Sequence, residues 1–217
     1  DGDAIGSSLG LWLYLKSLGK NPTVIVPNYF PDFLHWMEGA DKIIQYDRNR
    51  TLSKAIISSA DLVCSLDFNA LDRIEDLATP LRYSKAKKVM IDHHLNPEKF
   101  CDITISRPDS SSTCELLFRV ISAIGGTDRI KRAGAECIYA GMCTDTGGFT
   151  YNSNDPDIFV IISELMRKGI DKDLIYRKIY NNYTESRYRL MGYILKDKLQ
   201  VFPETHSSLF TITKEEL

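Results

Sequence analysis

Two short, mostly apolar runs, DLVCSL at residues 61–66 and KVMI at 88–91, stop abruptly in charged side chains. Asp67 follows the first; Asp92, His93 and His94 follow the second. A run without polar alternation suits a strand buried on both faces, and such strands belong to parallel sheets covered by helices. The intervening segments agree. Helical periodicity is read over residues 5–19, 31–37, 52–60, 112–124, 128–143, 157–168, 172–180 and 185–198, and further strands over 23–26, 42–45 and 101–106. The expected fold is α/β, a mostly parallel β-sheet flanked by helices. In such folds ligands collect beyond the carboxyl ends of the strands, which is where the polar clusters of this chain lie.

After residue 198 the pattern changes to two short β-like runs, 199–202 and 208–213, around a Pro-containing turn. The expected organisation is a main domain over 1–184, a linker helix over 185–198, and the truncated start of a second α/β domain over 199–217. No apolar run approaches the roughly 18 residues of a membrane span. With 27 Lys and Arg against 29 Asp and Glu, the net charge of −2 excludes a strongly basic nucleic-acid coat, though not a local groove. The five cysteines are odd in number and form no C-x-x-C pair, which fits free thiols in a reducing, cytoplasmic compartment.

Four clusters carry candidate chemistry. DGDAIGS at residues 1–7 sets two carboxylates around a glycine ahead of a helix; Asp1 and Asp3 are read either as metal ligands or as part of a helix cap. Asp67 sits on a strand tip, where it is read either as a functional carboxylate or as the cap of a following turn. At Asp92, His93 and His94, one imidazole can serve an ion while the other faces substrate, and Asp92 can take an imidazole proton and fix its tautomer. CTDTGGF at residues 143–149 closes a helix, and its glycine pair either turns Asp145 inward or simply caps that helix. Pooled carboxylates with one or two imidazoles and no thiolate suit manganese or magnesium rather than zinc, and so many carboxylates in one crevice need cations to offset their repulsion.

The ordered set DGDAIGSSLG, SLDFN, MIDHH and CTDTGGF closely resembles the motifs of the DHH phosphoesterases, over residues 1–149. SSTCELL at 111–117 is similar to a helix start in the nanoRNase and exopolyphosphatase-related branch, which includes 3′-phosphoadenosine-5′-phosphate phosphatases. The resemblance implies a two-manganese site, with Mg2+ as the alternative. Asp1 would bind the first ion, Asp3, His93 and Asp145 the second, and Asp67 would bridge them. His94 would contact the scissile phosphate. The family's first motif also carries a His a few residues before Asp1, which either lies upstream of this sequence or is absent, in which case the first site lacks an imidazole.

The expected activity is hydrolysis of phosphate esters of a short oligonucleotide or small phosphorylated nucleotide by a hydroxide activated between two ions. Arg73 is a candidate cation for the phosphate, or a solvated surface residue. Ser112 and Glu115 either orient the site or form a capping pair. No membrane partner is expected, and a homodimer is an open assembly. Exopolyphosphatase and cyclic-dinucleotide phosphodiesterase activities are alternatives within the family, and a non-catalytic metal-dependent binder of phosphorylated ligands is the alternative outside it. A phosphatase using Asp1 as nucleophile and Asp3 as acid would leave the histidine doublet idle. The stretch 167–198 interleaves basic residues with tyrosines. It reads as an amphipathic helix with Tyr176, Tyr180 and Tyr183 on one face, against the alternative of a track on which bases stack.

Overall fold

The computed structural model describes residues 1–216. It divides into two compact units, residues 1–179 and the residues from 180 onwards.

The first unit is α/β with parallel pairing. β1 (Ile25–Val26) pairs with β2 (Ile44–Gln45), and β3 (Leu62–Leu66), β4 (Lys87–Asp92) and β5 (Ile103–Ser106) form a three-stranded sheet in that order. The register sets Leu66 beside Ile91, and Ile91 beside Ile105. Burial rises along β3 and β4 from exposed starts to buried ends. The carboxyl tips, and the polar residues that follow them, therefore point into the molecule.

Helices cover the sheet. α1 (Gly2–Ser17) lies along α5 (Arg132–Asp145), with α4 (Thr113–Ala123) against both. Leu9, Leu117, Ile121, Ile138 and Met142 fill the space between them and are almost wholly buried. The approach of α1 to α5 is closer than side chains would allow. A Cβ on Gly6 would lie 2.6 Å from the Cys137 carbonyl oxygen, and one on Gly141 would lie 3.1 Å from Asp3 Cα and 2.2 Å from Cys114 Sγ of α4. This contact brings the amino end of α1, with Asp3, to the carboxyl end of α5, with Asp145. A second core, of Tyr46, Ile57, Leu71, Ile74, Leu77 and Leu81, joins α2 (Arg50–Ser59) and α3 (Ala78–Tyr83) to the loop after β3. α6 (Pro156–Arg167) and α7 (Lys172–Tyr180) complete the helical layer.

Two local expectations need correction. Residues 31–37 form one 3-10 turn, Asp32–Leu34, not a helix; a segment this short gains too few hydrogen bonds to repay nucleation, and packing of Phe30 on His35 shapes it instead. The helix expected over 185–198 is present over those residues, as α8 (Glu185–Tyr193) continued by a π-helical turn, Ile194–Lys198. α7 ends at Tyr180, so Tyr183 does not continue its face.

In the second unit, Thr184 caps α8 by accepting from Arg187 N at 3.3 Å, and Arg187 lies 4.0 Å from the Tyr183 ring centre. No described residue of α8 is buried. β6 (Gln200–Phe202) and β7 (Ser207–Leu209) form the antiparallel hairpin, its second strand shorter than expected.

All five cysteines are free, three of them buried. Among the described residues no helix is long and apolar enough to cross a membrane.

Candidate metal centre

Each candidate side chain reaches the site for a local reason. Asp67 follows the last residue of β3 with φ +64°, a left-handed conformation that Asp and Asn tolerate better than most residues. Its N–H still donates to the Ile91 carbonyl at 3.3 Å, so the ladder holds the turn in place. The loops after the two strands are stitched together beyond it. Glu98 N donates to the Asn69 carbonyl at 2.7 Å, Asn69 Nδ2 to the Leu95 carbonyl at 2.7 Å, and Leu71 N to Glu98 Oε2 at 2.9 Å. Asp145 is the last residue of α5. Gly147 and Gly148, at φ +56° and +73°, turn the chain back so that Gly148 N donates to the Cys143 carbonyl at 2.8 Å. The glycine pair thus caps the helix and leaves Asp145 at the site.

Asp3, Asp67, His93 and Asp145 converge. His93 Nε2 lies 3.2 Å from Asp145 Oδ2, 3.7 Å from Asp67 Oδ1 and 3.9 Å from Asp3 Oδ2. Oxygen ligands around one octahedral ion with bonds of about 2.1 Å lie roughly 3 Å apart along an edge, so small adjustments fit these four to a shared cation. Two groups of ligand atoms, Asp3–His93–Asp145 and Asp67–His93–His94, each fall within 4.8 Å of one another. His93 belongs to both.

The histidines are oriented from behind. His93 Nδ1 lies 3.2 Å from the Ser110 carbonyl, which can only accept, so Nδ1 carries a proton and Nε2 is the ring atom left to face the carboxylates and to ligate a cation. His94 Nδ1 lies 2.8 Å from Asp92 Oδ1, and His94 N donates to Asp92 Oδ2 at 2.8 Å. Asp92, fully buried, therefore braces His94 rather than His93. With Nδ1 committed to Asp92, His94 has Nε2 for another partner.

The amino end of α4 completes the setting. Thr113 N and Cys114 N donate to the two oxygens of Asp3 at 2.6 and 2.8 Å, and Thr113 Oγ1 donates to Asp67 Oδ1 at 3.0 Å. Thr113 was not anticipated among the site residues. The available signal was a run of small hydroxyl residues at a helix start just beyond a strand tip.

The electrostatics are strained without a cation. Burial, and then the neighbouring Asp145 charge, push the Asp3 carboxyl above its ordinary range. Burial, Asp3 and Asp145 push Asp67 up to about 9. Burial works to lower the His93 pKa, but its contact with Asp145 and the Asp3 charge outweigh this and raise it. Buried carboxylates that hold protons at neutral pH are poised to exchange them for a divalent ion, and the oxygen-rich, thiol-free donor set fits manganese or magnesium.

Two expected residues stand apart. Asp1 is exposed and caps α1, its Oδ1 accepting from Asp3 N at 2.8 Å; it belongs to neither group of three. Arg73 is exposed on the 3-10 segment Leu71–Leu77 and forms no ion pair among the described residues.

Comparison with known proteins places the chain in a family. A crystal structure of an exopolyphosphatase-related protein from Bacteroides fragilis superimposes with a TM-score of 0.98 at 57% identity, over all of this chain and 63% of that one. The bifunctional oligoribonuclease and PAP phosphatase NrnA of Thermus thermophilus is 27% identical over 201 residues, 90% of this chain and 55% of that protein. A probable NrnA of Streptococcus mutans is 26% identical over 198 residues, 91% of this chain and 58% of its own length. The chain thus spans less than two thirds of each of these relatives. The family model described as the DHH family, N-terminal domain, matches residues 1–142. That span carries Asp3, Asp67, Asp92, His93 and His94 and stops just short of Asp145. With its parallel strand tips, its histidine doublet and this match, the chain belongs to the DHH family of phosphoesterases.

Proposed function

We propose that this protein hydrolyses phosphate esters of short oligonucleotides or small phosphorylated nucleotides in a reaction that depends on divalent cations, manganese first. The observation that carries the reading is the convergence of Asp3, Asp67, His93 and Asp145 on one buried crevice too acidic to ionise fully alone. Relatives named as oligoribonucleases and PAP phosphatases supply the substrate class.

Asp3, His93 and Asp145 would hold one cation and Asp67 would share it with a second, for which the family resemblance implies Asp1. Ions bound there supply an activated water at neutral pH and neutralise the phosphate. The residues of the chain do the rest. The Ser110 carbonyl keeps the His93 proton on Nδ1, so Nε2 stays a donor of electrons. Asp92 holds His94 rigidly through Nδ1, so that when the ring also carries a proton on Nε2 that proton would be donated to a phosphate oxygen or handed to the leaving group, and the Asp92 carboxylate would balance the imidazolium charge. Backbone N–H groups of α4 fix the bite of Asp3.

A second reading, exopolyphosphatase activity, is favoured by the description of the Bacteroides fragilis protein at 57% identity. The test is a substrate panel with added manganese: dinucleotides, 3′,5′-bisphosphate nucleotides, cyclic dinucleotides and polyphosphate. Release of mononucleotide or of the 3′-phosphate supports the first reading. Shortening of polyphosphate alone supports the second. Binding without turnover of any of them would make the protein a metal-dependent binder.

A further inference from the structure

Every residue from Ser110 to Cys114 is buried, and this segment touches three of the four converging side chains. Ser110 orients His93 through its carbonyl, Thr113 holds both Asp3 and Asp67, and Cys114 N holds Asp3. Whatever fixes this segment fixes the site. Its anchor is Glu115, only 1% exposed. The Glu115 side chain does not act as a simple capping box, in which it would return to the N–H of the cap residue. Ser112 is the cap, accepting from Glu115 N at 3.0 Å, whereas Glu115 Oε2 reaches one residue further. It accepts from both the N–H and the hydroxyl of Ser111, each at 2.7 Å.

The other oxygen of Glu115 faces outward to a cation. Glu115 Oε1 accepts from Arg119 Nε at 2.7 Å, and Arg119 continues to Asp155 Oδ2 at 3.0 Å and Asp157 Oδ2 at 3.5 Å. Asp155 caps α6, at the end of the loop that leaves Asp145. That loop also touches the segment directly, through Asn152 Nδ2 to the Ser111 carbonyl at 3.4 Å. One ion-paired chain therefore ties the segment carrying the supports of Asp3, Asp67 and His93 to the loop following Asp145. A buried carboxylate is costly, and a helix start can be capped without one.

We infer that Glu115 is a positioning residue of the metal centre: with Arg119 as its counter-ion, it locks Ser110–Thr113 so that His93 presents Nε2 and Asp3 and Asp67 keep the spacing of a shared cation. The inference rests on the metal-centre reading above.

The test titrates manganese alone into the full chain, by calorimetry, for wild type, Glu115→Gln and Arg119→Met. Nitrogen NMR of the His93 ring in the metal-free protein accompanies it. Arg132→Met is the matched control, removing a similar i,i+4 pair, Arg132–Glu136 at 2.8 Å, from α5. Glu115→Gln is expected to weaken manganese binding about 10- to 100-fold, the usual effect of losing a partner behind a ligand, and to mix the His93 tautomers. Arg119→Met should do the same to a smaller extent, and it carries the test if Glu115→Gln fails to fold. The control should bind like wild type. Unchanged affinity in Glu115→Gln and Arg119→Met overturns the inference, even if their melting temperatures fall. If wild type takes up no manganese, the metal-centre reading fails by itself, and the His93 tautomer then decides whether Glu115 orients the ring.

Discussion

His93 Nε2 stands 3.2 Å from Asp145 Oδ2, joining the tip of β4 to the last residue of α5. No local sequence signal links these two residues, 52 positions apart by subtraction of their numbers. The close packing of α1 on α5 and the parallel register of β3 and β4 bring them together. The two imidazoles that follow β4 then differ in task, since the Ser110 carbonyl backs one and the Asp92 carboxylate the other.

That difference predicts separable effects. His93→Ala should weaken manganese binding and with it hydrolysis by more than about 100-fold, because the ring belongs to both ligand groups. His94→Asn should leave the affinity of the Asp3–His93–Asp145 group nearly intact and lower turnover by about 10²–10³, the cost of removing a phosphate-facing donor. Metal titration beside steady-state kinetics separates the two. Equal loss of affinity in both variants would place His94 on the metal as well.

Asp67→Asn should split stability from activity. Asn tolerates the φ of +64° and removes one of several crowded carboxylates. In the metal-free protein at neutral pH it should therefore be neutral or stabilising by about 1 kcal/mol. Manganese-dependent hydrolysis should fall to background. Urea unfolding in chelator, set against activity with manganese, checks both halves.

The raised Asp67 pKa gives a pH dependence with a definite sign. The folded value, about 9, lies above the ordinary 3.8, so the folded state holds a proton that the unfolded state releases. The contribution is fully present below about pH 4 and is lost as the pH rises towards 9. Metal-free protein should lose stability across that window, and Asp67→Asn should flatten the slope. Added manganese should reverse it, because the cation takes the place of the proton. Thermal melts at several pH values, with and without manganese, measure this directly.

Gly6→Ala should destabilise although alanine favours helices, because its Cβ would sit 2.6 Å from the Cys137 carbonyl oxygen, and backbone cannot swing away. A loss of about 1–3 kcal/mol is expected. Gly192→Ala, whose Cβ meets nothing within 4 Å, should be neutral or slightly stabilising. Similar effects from both substitutions in chemical denaturation would remove the argument that close packing of α1 on α5 builds the site.

How much of this was legible depends on what kind of signal each part leaves. Strand tips are visible because a strand buried on both faces is a continuous apolar run, and Asp67, Asp92, His93 and His94 stand where two such runs stop. Asp3 and Asp145 were visible as residue types beside glycine, but each also read as a cap, and only the helix packing places both beside His93. Thr113 and Ser110 act through a backbone N–H, a hydroxyl and a carbonyl that almost any small polar residue could supply, so composition does not mark them. The 31–37 segment misled because its apolar spacing suits a helix, whereas its length favours tertiary contacts over propensity.

The central claim is that Asp3, Asp67, His93 and Asp145 form one cation centre. Crystals of the protein soaked in manganese and measured at the manganese absorption edge test it most directly. The account predicts an anomalous peak within ligand distance of His93 Nε2 and of carboxylate oxygens from Asp3, Asp67 and Asp145. No peak in that crevice, with manganese only at exposed surface carboxylates, would contradict it.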